Sequence, residues 1–202
     1  YNSVYSGEIY DARLRQEGWN LPNFHMEKKE GWQKAFQLDS PGGVVKAQMM
    51  EPIKIMEELS PAQIYEVGEN CYTVDFGQNF AGWIRLKVQG YAGDKITMQF
   101  AELMNENRTI NNCSLNGLKV EDCYILKGNG EECFEPRFTY HGFRYVQIAG
   151  LRRKLEKSQV TGCVVYSAVK RISSFQSDAE LLNRFYQSML WTEKSNLYSV
   201  HT

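Results

Sequence analysis

Short segments in which apolar and polar residues alternate recur every eight to fifteen residues along most of this chain, separated by turn signals. A period of two puts successive side chains on opposite faces of a strand, so the pattern predicts an all-β, antiparallel β-sandwich or barrel rather than a βαβ protein. The segments are Val44–Gln48, Ile53–Glu58, Gln63–Glu66, Cys71–Phe76, Gly82–Gln89, Lys95–Glu102, Glu121–Lys127, Glu132–Arg137, Gly142–Ala149 and Val160–Ser167. In Gly82–Gln89, Trp83, Arg85, Lys87 and Gln89 alternate with Ile84, Leu86 and Val88, giving one wet face and one buried face. Gly90-Tyr91-Ala92-Gly93-Asp94 and Gly128-Asn129-Gly130 supply permissive φ angles, and both are expected to close hairpins. Glu27-Lys28-Lys29-Glu30 and Asn105–Asn112 are polar enough to be mobile loops, and residues 14–32 show no clear period.

The period changes near Ser174. Ser177-Asp178-Ala179-Glu180 has the spacing of a capping box, with Ser177 accepting the N–H of Glu180 and the Glu180 carboxylate returning to Ser177. Leu181, Leu182, Phe185 and Met189, with Tyr186 and Leu190, follow at i, i+3 and i+4, which predicts an amphipathic helix to about Ser195. Such a helix needs a facing layer, so its stripe is expected to lie on the sandwich or on a symmetry mate. A boundary at residues 168–177 then separates a sandwich, residues 1–170, from a linker and first helix of another unit, residues 171–202. The chain opens at Tyr1 and ends at Val200-His201-Thr202 with no polar tail, and it reads as an excised piece.

Composition removes several function classes. The 23 Lys+Arg balance 24 Asp+Glu, and the only tight basic cluster is Arg152-Arg153-Lys154, so neither nucleic acid nor a membrane surface is an expected partner. At 13% aromatic residues the chain is not of the disordered class, and apolar runs such as Cys163-Val164-Val165-Tyr166 are far short of the roughly 20 residues that span a bilayer. Cys71, Cys113, Cys123, Cys133 and Cys163 are odd in number with no C-x-x-C pair, which argues against a zinc site or a dense disulfide framework. Free, half-buried thiols on strands are the expectation, with a bridge among Cys113, Cys123 and Cys133 as the alternative.

Chemical motifs are sparse. There is no phosphate-binding G-x-x-x-x-G-K-[ST] loop, H-E-x-x-H pair, EF-hand loop or G-x-S-x-G elbow. His25, His141 and His201 are far apart, and His141 is expected to be a structural residue at a strand start. Two carboxylates at the right separation suffice for glycoside hydrolysis, and Glu8 with Asp11, Glu57 with Glu58, and Glu102 with Glu106 are the near pairs in sequence. Adjacent residues, or residues three apart, point to opposite faces of a strand, which removes the first two pairs. Trp19, Trp32 and Trp83 could stack on a sugar, although core or interface packing is the commoner role of such rings.

Four segments together resemble a specific family. Tyr5-Ser6-Gly7-Glu8-Ile9-Tyr10-Asp11-Ala12-Arg13, Tyr72-Thr73-Val74-Asp75-Phe76-Gly77-Gln78-Asn79-Phe80-Ala81-Gly82-Trp83-Ile84-Arg85, Tyr124-Ile125-Leu126-Lys127-Gly128 and Phe134-Glu135-Pro136-Arg137-Phe138-Thr139-Tyr140-His141-Gly142-Phe143-Arg144-Tyr145-Val146 look like successive signatures of bacterial α-L-rhamnosidases of glycoside hydrolase family 78. The resemblance implies a jelly-roll or concanavalin-like sandwich preceding a catalytic (α/α)₆ barrel, in an inverting enzyme that removes terminal α-L-rhamnose from glycans. It implies that residues 171–202 enter the barrel and that the family's catalytic carboxylates have no matching positions here. No catalytic, cofactor-binding or metal-binding residue is therefore expected in the chain, and no cofactor. The fragment alone is expected to be inactive. The implied partners are the barrel and other sandwich modules of the same polypeptide, and a periplasmic or secreted parent is favoured over a cytoplasmic one. The alternative is a carbohydrate-binding module using Trp19, Trp32 or Trp83. A self-sufficient hydrolase would need two carboxylates facing each other across a cleft.

Overall fold

The computed structural model describes residues 1–3, 6–24 and 31–201. His25 and the segment Glu27–Glu30 lie outside them. The elements are β1 (Asn2–Ser3), β2 (Gly7–Asp11), β3 (Ile53–Leu59), β4 (Gln63–Gly68), β5 (Cys71–Gln89), β6 (Lys95–Ala101), β7 (Leu103–Met104), β8 (Ile110–Asn111), β9 (Glu121–Ile125), β10 (Glu131–Phe134), β11 (His141–Ala149), β12 (Val160–Ser167), helix α1 (Glu180–Asn196), β13 (Leu197–Tyr198) and β14 (Val200–His201). Ten strands form one curled sheet in the order β1-β2-β9-β6-β11-β5-β12-β3, with β4 and β10 also paired to β5. Among the described residues every pairing is antiparallel except β2 with β9, so this all-β, concanavalin-like sheet is mixed.

The segments Cys71–Phe76 and Gly82–Gln89, expected as separate strands, are one 19-residue strand. Its first half pairs with β4 and β11, and its second half with β12 and β10. Partners change at Gly82, which sits opposite His141 on one side and Val164 on the other. There φ is +155°, and a Cβ would lie 1.9 Å from the Cys163 carbonyl oxygen. A register shift between Phe143 and Tyr145 absorbs the bend on the β11 side.

The two halves enclose a single core. Val74, Phe76, Ile84, Leu86 and Val88 of β5 share it with Ile96, Met98 and Phe100 of β6, Phe143, Val146 and Ile148 of β11, and Val160 and Val164 of β12. Phe80, Phe100 and Phe143 pack at 4.5–4.9 Å between ring centroids, with Phe76 against Phe80 at 5.6 Å. The wet and buried faces of Gly82–Gln89 fall as the alternation predicts, with Ile84, Leu86 and Val88 buried.

Several local expectations are corrected. The Gly90–Asp94 and Gly128–Gly130 turns close no hairpin, because β5 does not pair with β6 nor β9 with β10. They carry the chain between the two halves of the sheet and nest against each other. Gly93 N–H donates to Leu126 O at 2.9 Å, and Gly128, at φ +85°, lies where a Cβ would be 2.3 Å from Ala92 N. Val44–Gln48 forms no strand, and Val45 is 100% exposed; a β-prone run without a neighbour has no ladder to join. Asn105–Asn112, expected as a mobile loop, is instead largely the turn of the small β7–β8 hairpin, closed by Asn105 Nδ2 donating to Thr109 Oγ1 and Ile110 O.

Helix α1 forms as predicted, but without the capping box. Ser177 Oγ accepts from Ala179 N–H, and the Asn183 side chain donates to Ser177 O while accepting from Ser177 N–H. Asn183 reaches back one turn and replaces Glu180 as the closing group. Of the two covers expected for the apolar stripe, the sandwich is not the one the structure shows. Leu181, Leu182, Phe185 and Met189 are exposed, whereas Trp191 packs on the core and Lys194 pairs with Glu57.

Gly82→Ala, by forcing a methyl group into the Cys163 carbonyl, is expected to cost about 3 kcal/mol in urea unfolding. Gly142→Ala, where nothing lies within 4 Å of the added Cβ, is expected to stay within about 0.5 kcal/mol.

Candidate functional site

Residues 134–144 join elements from all over the fold. Leaving β10, Glu135 accepts the Trp83 indole N–H at 2.8 Å and the Arg85 Nε–H at 2.8 Å, and Arg85 reaches on to Glu58 at 2.8 Å. The hydrogen bonds to Glu135 and then Glu58 raise the Arg85 pKa and hold it charged. Beneath this group Cys163 is buried, which pushes its thiol up to about 12 and keeps it protonated. Next, Arg137 N–H donates to Glu8 Oε2 at 3.3 Å and Thr139 Oγ1 to the Ser3 carbonyl at 3.3 Å, so this segment clasps the first two strands. Tyr140 stacks on Tyr198 at 4.6 Å, beyond the end of α1. His141 Nε2 lies 3.1 Å from both oxygens of Asp122, with its ring on Phe100 at 4.1 Å. Arg144 closes the run with a two-pronged pair to Asp75 at 2.8 and 3.0 Å.

The Asp122–His141 pair is buried and had no local signal in the sequence, since the two residues are 19 apart on different strands. Asp122 Oδ1 also accepts Glu8 N–H at 2.9 Å, which ties β2 to β9. The Asp122 carboxyl thus meets both the His141 ring and the Glu8 backbone, joining β11, β9 and β2 at one buried point. His141 begins β11, as the sequence reading has it.

The near-sequence carboxylates go to different surroundings in the fold. Glu8 is buried, while Asp11 pairs with Arg13. Glu57 meets Tyr166 and Lys194, and Glu58 takes Arg85 on the other face. Glu102 accepts from Asn79, and Glu106 lies in the β7–β8 turn. Trp83 is held by Glu135, Trp32 leans on Phe24 at 5.2 Å, and Trp19 is exposed. All five cysteines are unbridged, and among the described residues no three His, Cys, Asp or Glu side chains are grouped to hold a metal ion.

Two clefts border the elements described above. One, of about 400 Å³, is lined by Tyr10, Tyr124, Arg137 and the carboxylates of Glu17, Glu131, Glu132 and Glu135. General acid catalysis needs a carboxyl that keeps its proton near neutral pH. Glu132 is the opposite: burial pushes it up, but the N–H groups of Lys127 and Gly128 and the Tyr124 hydroxyl pull it below its ordinary value. Glu135 is committed to Trp83 and Arg85, and Glu17 to Arg15 and Lys127. The other cleft, of about 610 Å³, runs between α1 and the sheet.

Asp75 resembles Glu132. Burial raises its pKa, and Arg144 with the Gly77 N–H more than offsets this, leaving it below its ordinary 3.8. A carboxyl depressed in the folded state contributes stability above its unfolded pKa and loses it as pH falls through the folded value. The urea midpoint is therefore expected to drop as pH is lowered from about 5 towards 3, and less steeply in an Asp75→Asn, Glu132→Gln variant.

Comparison with known proteins gives these features their context. The family model for the bacterial alpha-L-rhamnosidase concanavalin-like domain matches residues 65–166, and that for the alpha-L-rhamnosidase N-terminal domain matches residues 1–57. An alpha-L-rhamnosidase of Streptomyces avermitilis is 36% identical over 199 residues, covering 98% of this chain and 19% of its own length. The structure of the alpha-L-rhamnosidase from Dictyoglumus thermophilum superposes with a TM-score of 0.93 at 39% identity, over 100% of this chain and 22% of that one. The structure from Aspergillus terreus gives 0.90 at 32% identity, over 100% and 23%. The chain thus spans about a fifth of the length of these relatives. The matched domains, the shared fold and the sequence identity together place the chain in the bacterial α-L-rhamnosidase family, glycoside hydrolase family 78.

Proposed function

We propose that this chain is the noncatalytic sandwich portion of a glycosidase that removes terminal α-L-rhamnose from glycans or glycosides with inversion. Its role is mechanical: it packs on the parent's catalytic helical barrel and fixes that barrel relative to other sandwich modules. The observation that carries this reading is the match of the whole chain to about a fifth of each relative, at a TM-score of 0.93 for the Dictyoglumus thermophilum structure. The carboxylates support it, since Glu8, Asp75 and Glu135 of the signature segments are occupied in bonds to distant parts of the chain.

The exposed stripe of α1 supports a helical partner. Leu181 is 77% and Phe185 61% exposed, whereas Trp191 of the same helix packs on the core. An apolar face of this kind marks an interaction surface, and further helices packed ridge into groove would cover it. In this reading residues 1–170 are the sandwich and 171–202 lead into the barrel. A stacking platform at Trp19, Trp32 or Trp83 draws no comparable support, because none of these rings lines either cleft. A periplasmic or secreted parent fits an enzyme acting on polymeric glycans.

The purified 202-residue chain is expected to release nothing detectable from an aryl α-L-rhamnoside under conditions in which the parent-length enzyme turns it over. Hydrolysis by the short chain would overturn the noncatalytic assignment. An inactive parent would remove the rhamnosidase reading itself.

A further inference from the structure

The cleft between α1 and the sheet is lined mainly by uncharged polar and aromatic residues. Across from one another stand Tyr140, Asn79 and Glu102 on the sheet side and Gln187, Trp191 and Ser195 on the helix. Among the described residues, Glu102 is the only charged one lining it. That is a poor setting for a phosphate or a carboxylate, which need cations, and a good one for hydroxyl groups, which need amide and carboxylate partners.

One wall is preorganised. Tyr198 backs one face of the Tyr140 ring, at 4.6 Å between centroids and 14° between planes, and is itself anchored by its hydroxyl donating to the Val165 carbonyl at 2.7 Å. Tyr140 is 41% exposed and so presents its other side, held in place, to the cleft. On the sheet side, Asn79 Nδ2 donates to one oxygen of Glu102 at 3.1 Å. This ties the two side chains together, and the second Glu102 oxygen and the Asn79 side-chain amide oxygen are hydrogen-bond acceptors by type. Trp191 adds an aromatic surface opposite, with its ring under Lys194 at 4.3 Å. An aromatic platform with convergent amides and one carboxylate, in about 610 Å³, is the chemistry of a site for a few pyranose rings.

We infer that this cleft binds a neutral oligosaccharide, with Tyr140 stacking on a ring face and Asn79, Glu102 and Gln187 holding hydroxyls. The sugar class follows from the lining; that the sugar is part of a rhamnoside rests on the function proposed above. The site makes the sandwich a contributor to substrate binding as well as a scaffold. It does so at Tyr140, a signature residue that Tyr198 backs and that remains 41% exposed.

The test is a ¹⁵N NMR titration of the 202-residue chain with rutinose, α-L-rhamnosyl-(1→6)-glucose. Saturable shifts are expected in the Asn79 and Gln187 side-chain amides, the Trp191 indole and the amides around Tyr140. Gln187→Ala, on an exposed helix position, is expected to weaken binding about fivefold, and Tyr140→Phe to retain it. Absence of saturable shifts, or equal affinity in Gln187→Ala, would overturn the inference. Cellobiose binding in place of rutinose keeps the sugar site and counts against the rhamnoside reading. Rhamnoside hydrolysis by the parent, with no shifts in the chain, counts against the site alone.

Discussion

One strand, β5, hydrogen-bonds to four others, and the change of partners along its 19 residues is what curls the sheet over a single core. The bend depends on a point with no room for a side chain, where Gly82 passes the Cys163 carbonyl between β11 and β12. Because the same strand supplies Val74 to one half and Ile84 to the other, neither half has a hydrophobic face that it can bury without its counterpart. Residues 134–144 then lock what β5 shapes, by fastening β2, β9, β5 and the chain beyond α1 to one segment.

The family matches divide the chain near residue 60, but strand pairing crosses that division on both flanks of the sheet. β2 joins β9 on one flank of the sheet, and β3 joins β12 on the other. Both flanks of the concanavalin-like part are therefore covered by strands from the segment that matches the N-terminal domain. An uncovered strand edge invites pairing with another chain, and β3 also carries Lys54, Glu57 and Glu58, charges that discourage it. The buried Asp122 bond to Glu8 N–H is the polar fastening of the β2 flank, strong because both partners are out of water.

Much of this was legible in the sequence, and the failures have physical reasons. Period-two alternation located nine of the ten candidate strands, since one buried face imposes it. Val44–Gln48 failed because propensity does not supply a neighbouring strand. The two glycine turns were recognised as turns but not as crossings, because a permissive φ fixes the local bend and not the partner of the next strand. The signature Glu135–Arg144 could be read only by resemblance: its polar residues make contacts to Glu8, Asp75, Trp83 and Asp122, none of them near in sequence. The helix stripe was visible, but which side of α1 faces the sheet is decided by Trp191 and the Lys194–Glu57 pair, distant partners that helical period does not reveal.

The central claim is that the curled sheet is one cooperative unit organised by β5. Native-state hydrogen exchange tests it most directly, by comparing the slowest amides of Tyr72–Phe76 with those of Ile84–Val88 as denaturant is added. Merging of both sets into a single opening free energy, equal to that of global unfolding, is the predicted result. Two sets that open separately, with different free energies and different denaturant dependence, would contradict it.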